Sequence, residues 1–176
     1  MAMNTVLIGY RCCGKSSVGK VLADIMSCDF VDTDKVVEHR YKATVSKIVA
    51  DKGWEFFRQA ETAVLKEVMS KKNQVIATGG GIVLAEENQA LITDSGCAVW
   101  LFADVKTIVK RLAADMQNKA SRPRFTSKSL FIETRNTLAQ RLPVYEKLAC
   151  MRFDTTAHPP KDIAWMIKRR IDHVRI

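Results

Sequence analysis

The stretch that decides the fold is residues 9–17, GYRCCGKSS, in a chain of 176 residues. An apolar run, TVLIG, leads into it, and apolar residues at helical spacing follow it over residues 15–26. A strand, a glycine-bounded turn and a helix in this order are typical of a loop that binds phosphate. Four residues fit the corresponding pattern G-x-x-x-x-G-K-S/T: Gly9, Gly14, Lys15 and Ser16.

The chemistry of this loop predicts a nucleotide site. Its glycines let the backbone turn tightly, so that several N–H groups point at one phosphate, and the helix start adds partial positive charge. Lys15 can then reach the terminal phosphates as a catalytic residue, and Ser16 can offer its hydroxyl to Mg²⁺ as a metal ligand. The predicted ATP-binding residues of the loop are Gly9, Arg11, Cys12, Cys13, Gly14, Lys15, Ser16 and Ser17.

The adjacent residues Cys12 and Cys13 raise the alternative of a thiol site. The chain has five cysteines and no C-x-x-C pair, which argues against zinc and thioredoxin-type sites. Adjacent cysteines rarely form an unstrained disulfide. Lys15 and the helix start could acidify the thiols, which leaves a regulatory role open. The favoured interpretation is that both cysteines are spacers in a phosphate loop.

The rest of the chain alternates strand and helix. Strands are predicted at TVLIG, CDFVD, QVIATGGG, CAVWLFA and MRFD. Helices are predicted over 15–26, over about forty residues after the second strand with a stop at Gly53, and over 86–92, 105–116, 130–148 and 161–174. Pro143 is expected to break or kink the helix over 130–148. This alternation predicts an α/β fold, with a parallel sheet between helices, as a single domain over 1–176.

The formal net charge of +9 leaves two classes of partner open. A basic protein can bind nucleic acid, or it can be an enzyme that handles anions. Lys168, Arg169 and Arg170 fall on a predicted helix beside apolar residues at helical spacing, which is typical of a solvated face. A polar, loop-like segment instead carries Arg122, Arg124 and Lys128, and a functional role is expected for it.

The composition indicates a soluble protein. No apolar run approaches the roughly 18 residues of a membrane helix. The first ten residues, MAMNTVLIGY, read as the start of a strand, because they lack the basic flank and the cleavage site of a signal peptide. We therefore expect a cytoplasmic protein with no membrane partner.

Asp32 and Asp34 are the first candidates for the chemistry that follows nucleotide binding. They lie two residues apart at the end of a predicted strand, so in extended geometry their side chains point the same way. One carboxylate could serve Mg²⁺ through water, and the other could accept a proton from a hydroxyl group. A helix N-cap and a turn are the alternative, because aspartate favours both.

An arginine and a run of glycines are the candidates for binding an acceptor. In GWEFFRQAE, Arg58 could hold a carboxylate through a two-pronged hydrogen bond, or it could pair with Glu61 within a helix. VIATGGG ends a predicted strand with Gly79, Gly80 and Gly81. Three glycines there allow close approach of the backbone to a ligand, or form a flexible turn.

Asp104 and the histidines are not predicted to belong to the site. Asp104 ends the strand AVWLFA like a metal-binding aspartate, but the helix that starts directly after it makes N-capping the simpler role. No candidate catalytic residue accompanies the three histidines in the sequence, and we expect His39, His158 and His173 at structural or surface positions.

Taken together, these stretches resemble the shikimate kinase family. The matching pieces are GYRCCGKS, DTD, GWEFFRQAE, ATGGG, SRP and QRLPVYEKLA, in the order and approximate spacing of that family. Many enzymes share the phosphate loop, whereas DTD, F-R-x-x-E and GGG together are far more specific. The resemblance implies transfer of the γ-phosphate of ATP to the 3-hydroxyl of shikimate, on the route to chorismate and the aromatic amino acids.

The resemblance also implies a fold and a set of roles. The implied fold is the three-layer P-loop kinase sandwich, with a five-stranded parallel sheet of order 2-3-1-4-5, a mobile lid at about 117–129 and a substrate-binding helical segment at about 33–61. Asp34 would contact the diol of shikimate and act as the base, and Asp32 would serve Mg²⁺ through water. The implied shikimate-binding residues are Asp34, Arg58, Gly79, Gly80, Gly81 and Arg141.

Two arginines complete the implied nucleotide site. Arg111 would stack on adenine, and the stretch after Asp154 would close the adenine pocket. Arg122 of the lid would reach the phosphates and take part in catalysis. Lys15, Arg122 and the cofactor Mg²⁺ would together neutralise the phosphate charge during transfer.

Two other functions stay open. One is another small-molecule kinase of the P-loop group, such as a gluconate kinase, against which Arg58, Arg141 and the triple glycine argue. The other is a non-enzymatic nucleotide-binding or nucleic-acid-binding module, which the net charge of +9 suggests. The favoured prediction is a monomeric enzyme whose partners are ATP and shikimate, without a nucleic-acid partner.

Overall fold

Five parallel strands form the sheet of the computed structural model, which describes residues 3–95, 98–118 and 129–174. The strands are β1 (Thr5–Ile8), β2 (Asp29–Asp32), β3 (Gln74–Ala77), β4 (Ala98–Phe102) and β5 (Met151–Asp154). They pair in the order β2-β3-β1-β4-β5, which confirms the predicted topology. β1 and β3 are buried along their whole length, as expected for strands with helices on both sides.

Helices cover both faces of this sheet. They are α1 (Lys15–Met26), α2 (Thr33–Tyr41), α3 (Val45–Ser70), α4 (Glu86–Asp94), α5 (Val105–Asn118), α6 (Leu130–Leu148) and α7 (Pro160–Val174), with a short 3-10 helix at Ile82–Leu84. α1 and α7 pack together on one face. Apolar residues of α2, α3, α4 and α6 form the core on the other face.

The two cores follow from the alternation of side chains along the strands. Val6 and Ile8 of β1 point into the core with α3, whereas Leu7 between them points into the core with α1 and α7. A smaller cluster joins Tyr10, just after β1, to Ile108 and Leu112 of α5. The phosphate loop therefore follows β1, which is the middle strand of the sheet and contributes side chains to both cores.

The long helical region after β2 is divided twice. Gly53 lies inside α3 with φ 83° and ψ 168°, so the chain kinks there, where the sequence predicts a stop. An earlier break separates α2 from α3, and Lys42 caps α2 in the left-handed conformation with φ 51°. The sequence carries no glycine or proline at that point, which is why the break was not predicted.

The predicted break at Pro143 is wrong. α6 runs as one helix from Leu130 to Leu148 with Pro143 inside it. A proline removes the amide that would bond the carbonyl four residues earlier, which here belongs to Ala139. Both residues are exposed, so water can bond that carbonyl and the helix continues.

The carboxyl ends of the parallel strands meet at one edge of the sheet. Gly9, Asp32 and Thr78 mark this edge at β1, β2 and β3. At β4, the amide of Thr107 donates to Asp104 Oδ1 at 2.7 Å, which confirms the N-cap role of Asp104. The amide and the hydroxyl of Thr107 both donate to this carboxylate and lower the pKa of Asp104.

In the parts of the chain that the structure describes, no helix is both long and apolar enough to cross a membrane.

Candidate active site

The loop between β1 and α1 is shaped by close contacts of its own backbone. A Cβ atom on Gly9 would lie 2.2 Å from the carbonyl oxygen of Leu101, and its φ is 138°, so only glycine fits. Lys15 is buried, and its ammonium donates to the carbonyl oxygens of Gly9 at 2.8 Å and Tyr10 at 2.7 Å. The ammonium of Lys15 is thus held by the backbone of the loop itself.

A cleft of about 480 Å³ opens above this loop. It brings together residues that the sequence predicts for ATP, metal and acceptor: Arg11, Cys12, Gly14, Lys15, Ser16, Ser17, Asp32, Asp34, Gly80 and Arg111. Gly9 and Cys13, which are also predicted for ATP, do not line the cleft. Cys13 is fully buried, and its Sγ lies 2.9 Å from the Cβ position of Gly9.

Ser16 and Asp32 are joined directly. The Ser16 hydroxyl donates to Asp32 Oδ2 at 2.6 Å, which links the start of α1 to the end of β2. Both are oxygen donors at the edge of the cleft, and oxygen is the ligand type that Mg²⁺ prefers. The donor set therefore fits the predicted metal.

The extended geometry predicted for Asp34 is wrong. Asp32 ends β2 and caps α2, because its Oδ1 accepts from the amide of Lys35 at 3.3 Å, so Asp34 lies in the first helical turn. The capping role that the sequence left open is therefore real. Both carboxylates nevertheless border the cleft, because α2 begins beside it, directly after Asp32.

A second, smaller pocket of about 60 Å³ adjoins the cleft. Five of the six residues that the sequence predicts for an acceptor line it, which are Asp34, Arg58, Gly80, Gly81 and Arg141, together with Trp54, Phe57 and Glu61. The sixth, Gly79, lines neither this pocket nor the cleft. The two pockets share Arg11, Asp34 and Gly80. The shared residues mark a junction between the cleft and the smaller pocket.

The glycine run after β3 is needed for space. A Cβ atom on Gly79 would lie 2.5 Å from Glu61 Oε1 and 2.6 Å from Asp34 Oδ1, and one on Gly81 would lie 2.5 Å from the guanidinium of Arg58. Gly79 also donates its amide to Thr33 Oγ1 at 3.1 Å. The charged side chains of the pocket therefore lie against these glycines, and close approach of a ligand to them stays a prediction.

Arg58 and Glu61 form the intrahelical ion pair that the sequence left as an alternative. The Glu61 side chain is only 2% exposed, whereas that of Arg58 is 30% exposed. Burial, and to a smaller extent the charge of Asp34, raises the pKa of Glu61 to about 7, although Arg58 and Arg141 oppose this shift. Arg58 also lies over the Trp54 ring, 5.2 Å from its centroid.

Arg141 and Tyr145 of α6 hold the glycine run from the other side. Arg141 Nη1 donates to the carbonyl oxygen of Gly80 at 2.9 Å, and the Tyr145 hydroxyl donates to the same oxygen at 2.6 Å. Burial raises the pKa of Tyr145. Tyr145 is not among the residues predicted for the site, although its spacing of four residues from Arg141 places both on one helix face.

The far end of the cleft is built around Thr155, after β5. Arg111 donates to the carbonyl oxygen of Thr155 at 2.6 Å and to its hydroxyl at 3.1 Å. The Thr155 hydroxyl lies 3.0 Å from the carbonyl oxygen of Cys13 and 3.1 Å from that of Phe102, and its one hydrogen can be donated to either. His158, expected to be a structural or surface residue, is exposed and also lines the cleft.

Two predicted features lie wholly or partly outside the described residues. Arg122 falls within residues 119–128, which the structure does not describe. Of the predicted lid, residues 117–118 belong to α5, and Ser129 caps α6 by accepting from the amide of Ile132 at 3.4 Å.

The cysteines of the loop are free thiols in different surroundings. Cys12 borders the cleft and has φ 59°, a left-handed conformation that is uncommon for a residue other than glycine. Cys13 is buried, and Lys15 Nζ lies 3.8 Å from its Sγ. The sequence shows no sign of the unusual backbone at Cys12.

Comparison with known proteins shows the family of this chain. The sequence model of the family described as shikimate kinase matches residues 11–172. A shikimate kinase of Rhodopirellula baltica is 40% identical over 150 residues, which cover 85% of this chain and 80% of that protein. Shikimate kinase 2 of Escherichia fergusonii is 40% identical over 158 residues, which cover 90% of this chain and 86% of that protein.

A solved structure agrees with these relatives. The shikimate kinase of Acinetobacter baumannii in complex with shikimate is 30% identical to this chain. It superposes with a TM-score of 0.93 over 100% of this chain and 96% of that one. The chain therefore belongs to the shikimate kinase family.

Proposed function

We propose that the cleft binds ATP, that the adjoining pocket binds shikimate, and that the chain transfers the γ-phosphoryl group of ATP to the 3-hydroxyl of shikimate. Membership of the shikimate kinase family supports the reaction. The observation that carries the assignment of the two sites is their shared border at Arg11, Asp34 and Gly80. Transfer needs such a border, because the acceptor oxygen must approach the phosphoryl group in line.

The acceptor side matches the chemistry of shikimate, a monocarboxylate with three hydroxyl groups. Arg58 and Arg141 hold the carboxylate, since a guanidinium binds a carboxylate through two parallel hydrogen bonds. Gly79, Gly80 and Gly81 line the ring. The helical segment at about 33–61, which carries Asp34 and Arg58, supplies this side of the site.

Asp34 is the base in this proposal. It borders both pockets, so a hydroxyl in the smaller one can lie within reach of both its carboxylate and the phosphoryl group. When the bond between the acceptor oxygen and phosphorus forms and the bond to ADP breaks, the hydroxyl proton passes to Asp34. Lys15 and the loop amides hold the phosphates during this step.

Mg²⁺ is the proposed cofactor, and Ser16 and Asp32 are the residues that would hold it. Mg²⁺ keeps several water and phosphate ligands, so two protein oxygen donors suffice. When bound, the ion neutralises phosphate charge. Ser16 and Asp32 are already oriented toward each other by their hydrogen bond of 2.6 Å.

The remaining parts of the proposal concern the nucleotide end and the state of the protein. Arg111 and the stretch after Asp154 contact the adenine, and the lid at about 117–129 brings Arg122 to the phosphates. The chain acts as a single domain and a monomer in the cytoplasm. Its free thiols Cys12 and Cys13 suit a reducing compartment.

The test is release of ADP, coupled to a second enzyme, with ATP and Mg²⁺ present and shikimate either added or omitted. We expect turnover that depends on shikimate and gives shikimate 3-phosphate. Gluconate and other hydroxy acids serve as the comparison panel. Turnover with gluconate but not with shikimate would overturn the proposal in favour of a gluconate-type kinase.

A further inference from the structure

Arg11 and Glu133 form a buried ion pair that joins the phosphate loop to α6. Arg11 Nη2 lies 3.4 Å from Glu133 Oε1, and their side chains are only 13% and 2% exposed. Glu133 belongs to the first turn of α6, so residues far apart in the sequence meet here. The contact carries a full charge on each side into the interior.

The position of Arg11 distinguishes it from the other arginines of the site. Arg58 and Arg141 line only the smaller pocket, and Arg111 lines only the cleft. Arg11 lines both, as do Asp34 and Gly80. Among the arginines that the structure describes at these pockets, it is the one that borders both of them.

Two described groups lie against the guanidinium of Arg11. Glu133 contacts one of its nitrogens, and the ring of Tyr10 lies 5.8 Å from it. Arg141 lies 5.6 Å from the same ring. A guanidinium is planar with its donors in a rigid fork, so an ion pair with a buried carboxylate restricts the orientation of the whole group.

Stability alone does not account for this pair. Burying two charges costs solvation free energy, and a buried ion pair is often no more stable than apolar residues of the same volume. A pair of apolar side chains would therefore join the loop to α6 equally well. What apolar side chains cannot provide is a positive charge aimed at the junction.

We propose that Arg11 is a catalytic residue that donates hydrogen bonds to the transferred phosphoryl group, and that Glu133 is a positioning residue that aims it. The inference rests on the proposed function of the two pockets. In transfer, charge spreads over the equatorial oxygens of the phosphoryl group, and a preorganised donor stabilises that charge. Arg11 keeps its proton throughout, and the proton of the acceptor hydroxyl passes to Asp34.

The test compares Arg11→Met, Arg11→Lys and Glu133→Gln with wild type. Arg135→Met is the matched control, because Arg135 is an exposed arginine on the same helix. Two quantities are measured by titration: the affinity for ADP alone, and the affinity for ADP with aluminium fluoride in the presence of shikimate, which mimics the transferring phosphoryl group. Steady-state kcat and KM are measured alongside.

We expect Arg11→Met to lower kcat about 100-fold, the usual effect of losing one such donor. The complex with aluminium fluoride weakens by a similar factor, while ADP affinity stays within about 3-fold of wild type. Arg11→Lys recovers part of kcat, and Glu133→Gln lowers kcat about 10-fold without a matching rise in KM, because the guanidinium remains but is less well oriented. Arg135→Met behaves as wild type.

The proposal is overturned if Arg11→Met lowers ADP affinity as much as it weakens the aluminium fluoride complex, since Arg11 would then be a structural part of the loop. It is also overturned if kcat is unchanged. If Arg11→Met does not fold, Arg11→Lys and Glu133→Gln decide by the same two affinities. A wild-type protein that forms no shikimate-dependent fluoride complex would instead refute the proposed function of the pockets.

Discussion

Arg58 pairs with the carboxylate of Glu61 on its own helix and is proposed to bind the carboxylate of shikimate as well. Glu61 holds one side of the guanidinium, Trp54 stacks on its face, and the remainder borders the acceptor pocket. Because Glu61 is buried, it cannot turn away to water when the acceptor arrives. The arginine is thus oriented before binding, which lowers the entropic cost of holding the acceptor.

A first prediction concerns Arg58→Ala. A hydrogen bond to a charged group contributes about 1.5–3 kcal/mol, so we expect shikimate affinity to fall on the order of 10- to 100-fold. ATP affinity should change little, because Arg58 lines only the smaller pocket. Titration with shikimate and, separately, with a non-hydrolysable ATP analogue checks both. Loss of ATP binding with shikimate affinity intact would contradict the assignment.

A second prediction follows from the raised pKa of Glu61. Below about pH 7 this carboxyl gains a proton and its charge no longer holds Arg58. The KM for shikimate should therefore rise as the pH falls through about 7. In Glu61→Gln, which has no such proton to gain, the KM should not rise over the same interval. A parallel rise in both proteins would assign the effect to another group.

The raised pKa of Glu61 should improve shikimate binding as the pH rises, but it lowers the stability of the fold over the same interval. Glu61 titrates at 4.5 when unfolded and at about 7 when folded, so the native protein binds an extra proton between these values. The free energy of unfolding contributed by this group therefore falls as the pH rises through that interval. Chemical denaturation should show Glu61→Gln gaining stability relative to wild type as the pH rises from 4.5 to above 7.

At the scale of elements, two glycines serve different needs. Gly79 lies between Glu61 and Asp34, where a Cβ atom would come within 2.5 and 2.6 Å of carboxylate oxygens. Gly53 has φ 83° at the kink of α3, but a Cβ atom there would meet nothing within 4 Å. The first is required for space, and the second only for conformation.

A third prediction uses this contrast. Gly79→Ala should displace both carboxylates and reduce shikimate affinity on the order of 10-fold or more, with ATP affinity nearly unchanged. Gly53→Ala should lower the free energy of unfolding by about 1 kcal/mol with near-normal kinetics. Titration, kinetics and denaturation of both variants provide the check. Equal kinetic loss in both would show that the kink of α3 itself shapes the pocket.

A fourth prediction concerns the cap of α5. Asp104→Ala should lower the melting temperature, because the amide and hydroxyl of Thr107 lose their acceptor. Asp104→Asn should retain most of the stability, since its amide oxygen can still cap. The dependence of activity on Mg²⁺ concentration should match wild type in both. A shifted Mg²⁺ dependence would make Asp104 a metal residue.

Elements were predictable where the signal is local. The strands, the phosphate loop and the cap at Asp104 all follow from residues within a few positions of each other. The geometry of Asp34 did not follow, because capping by Asp32 competes with extension of the strand and the sequence favours both. The continuation of α6 through Pro143 depends on exposure to water, which is known only once the helix is packed.

For the whole molecule, the net charge of +9 leaves a prediction about partners. Arg169 and Arg170 of α7 are exposed, and Lys168 pairs with Asp172 on the same helix. Replacing all three basic residues by glutamine should leave kcat and KM unchanged, with a small effect on stability per site. Kinetics and denaturation check this. Salt-sensitive binding of a polynucleotide by wild type, lost in the variant, would instead support the nucleic-acid module.

The sheet order and the family were predictable because they rest on motifs spread along the chain in a fixed order. The contacts of α6 were not, since the pairing of Glu133 with Arg11 and of Tyr145 with Gly80 joins distant residues. Such contacts exist only after the sheet brings the loop, the glycine run and α6 together. The sequence therefore predicts most residues that line the smaller pocket, but not the contacts that hold them in place.

The stacking of Trp54 on Arg58 provides an optical signal for the acceptor pocket. The chain has three tryptophans, of which Trp100 lies in the core beside Tyr145 and Trp165 is exposed on α7. Indole fluorescence responds to charges at close range, and the guanidinium lies 5.2 Å from the Trp54 ring. A carboxylate that neutralises Arg58 should therefore change the emission of Trp54, so acceptor binding can be followed without turnover, nucleotide or label.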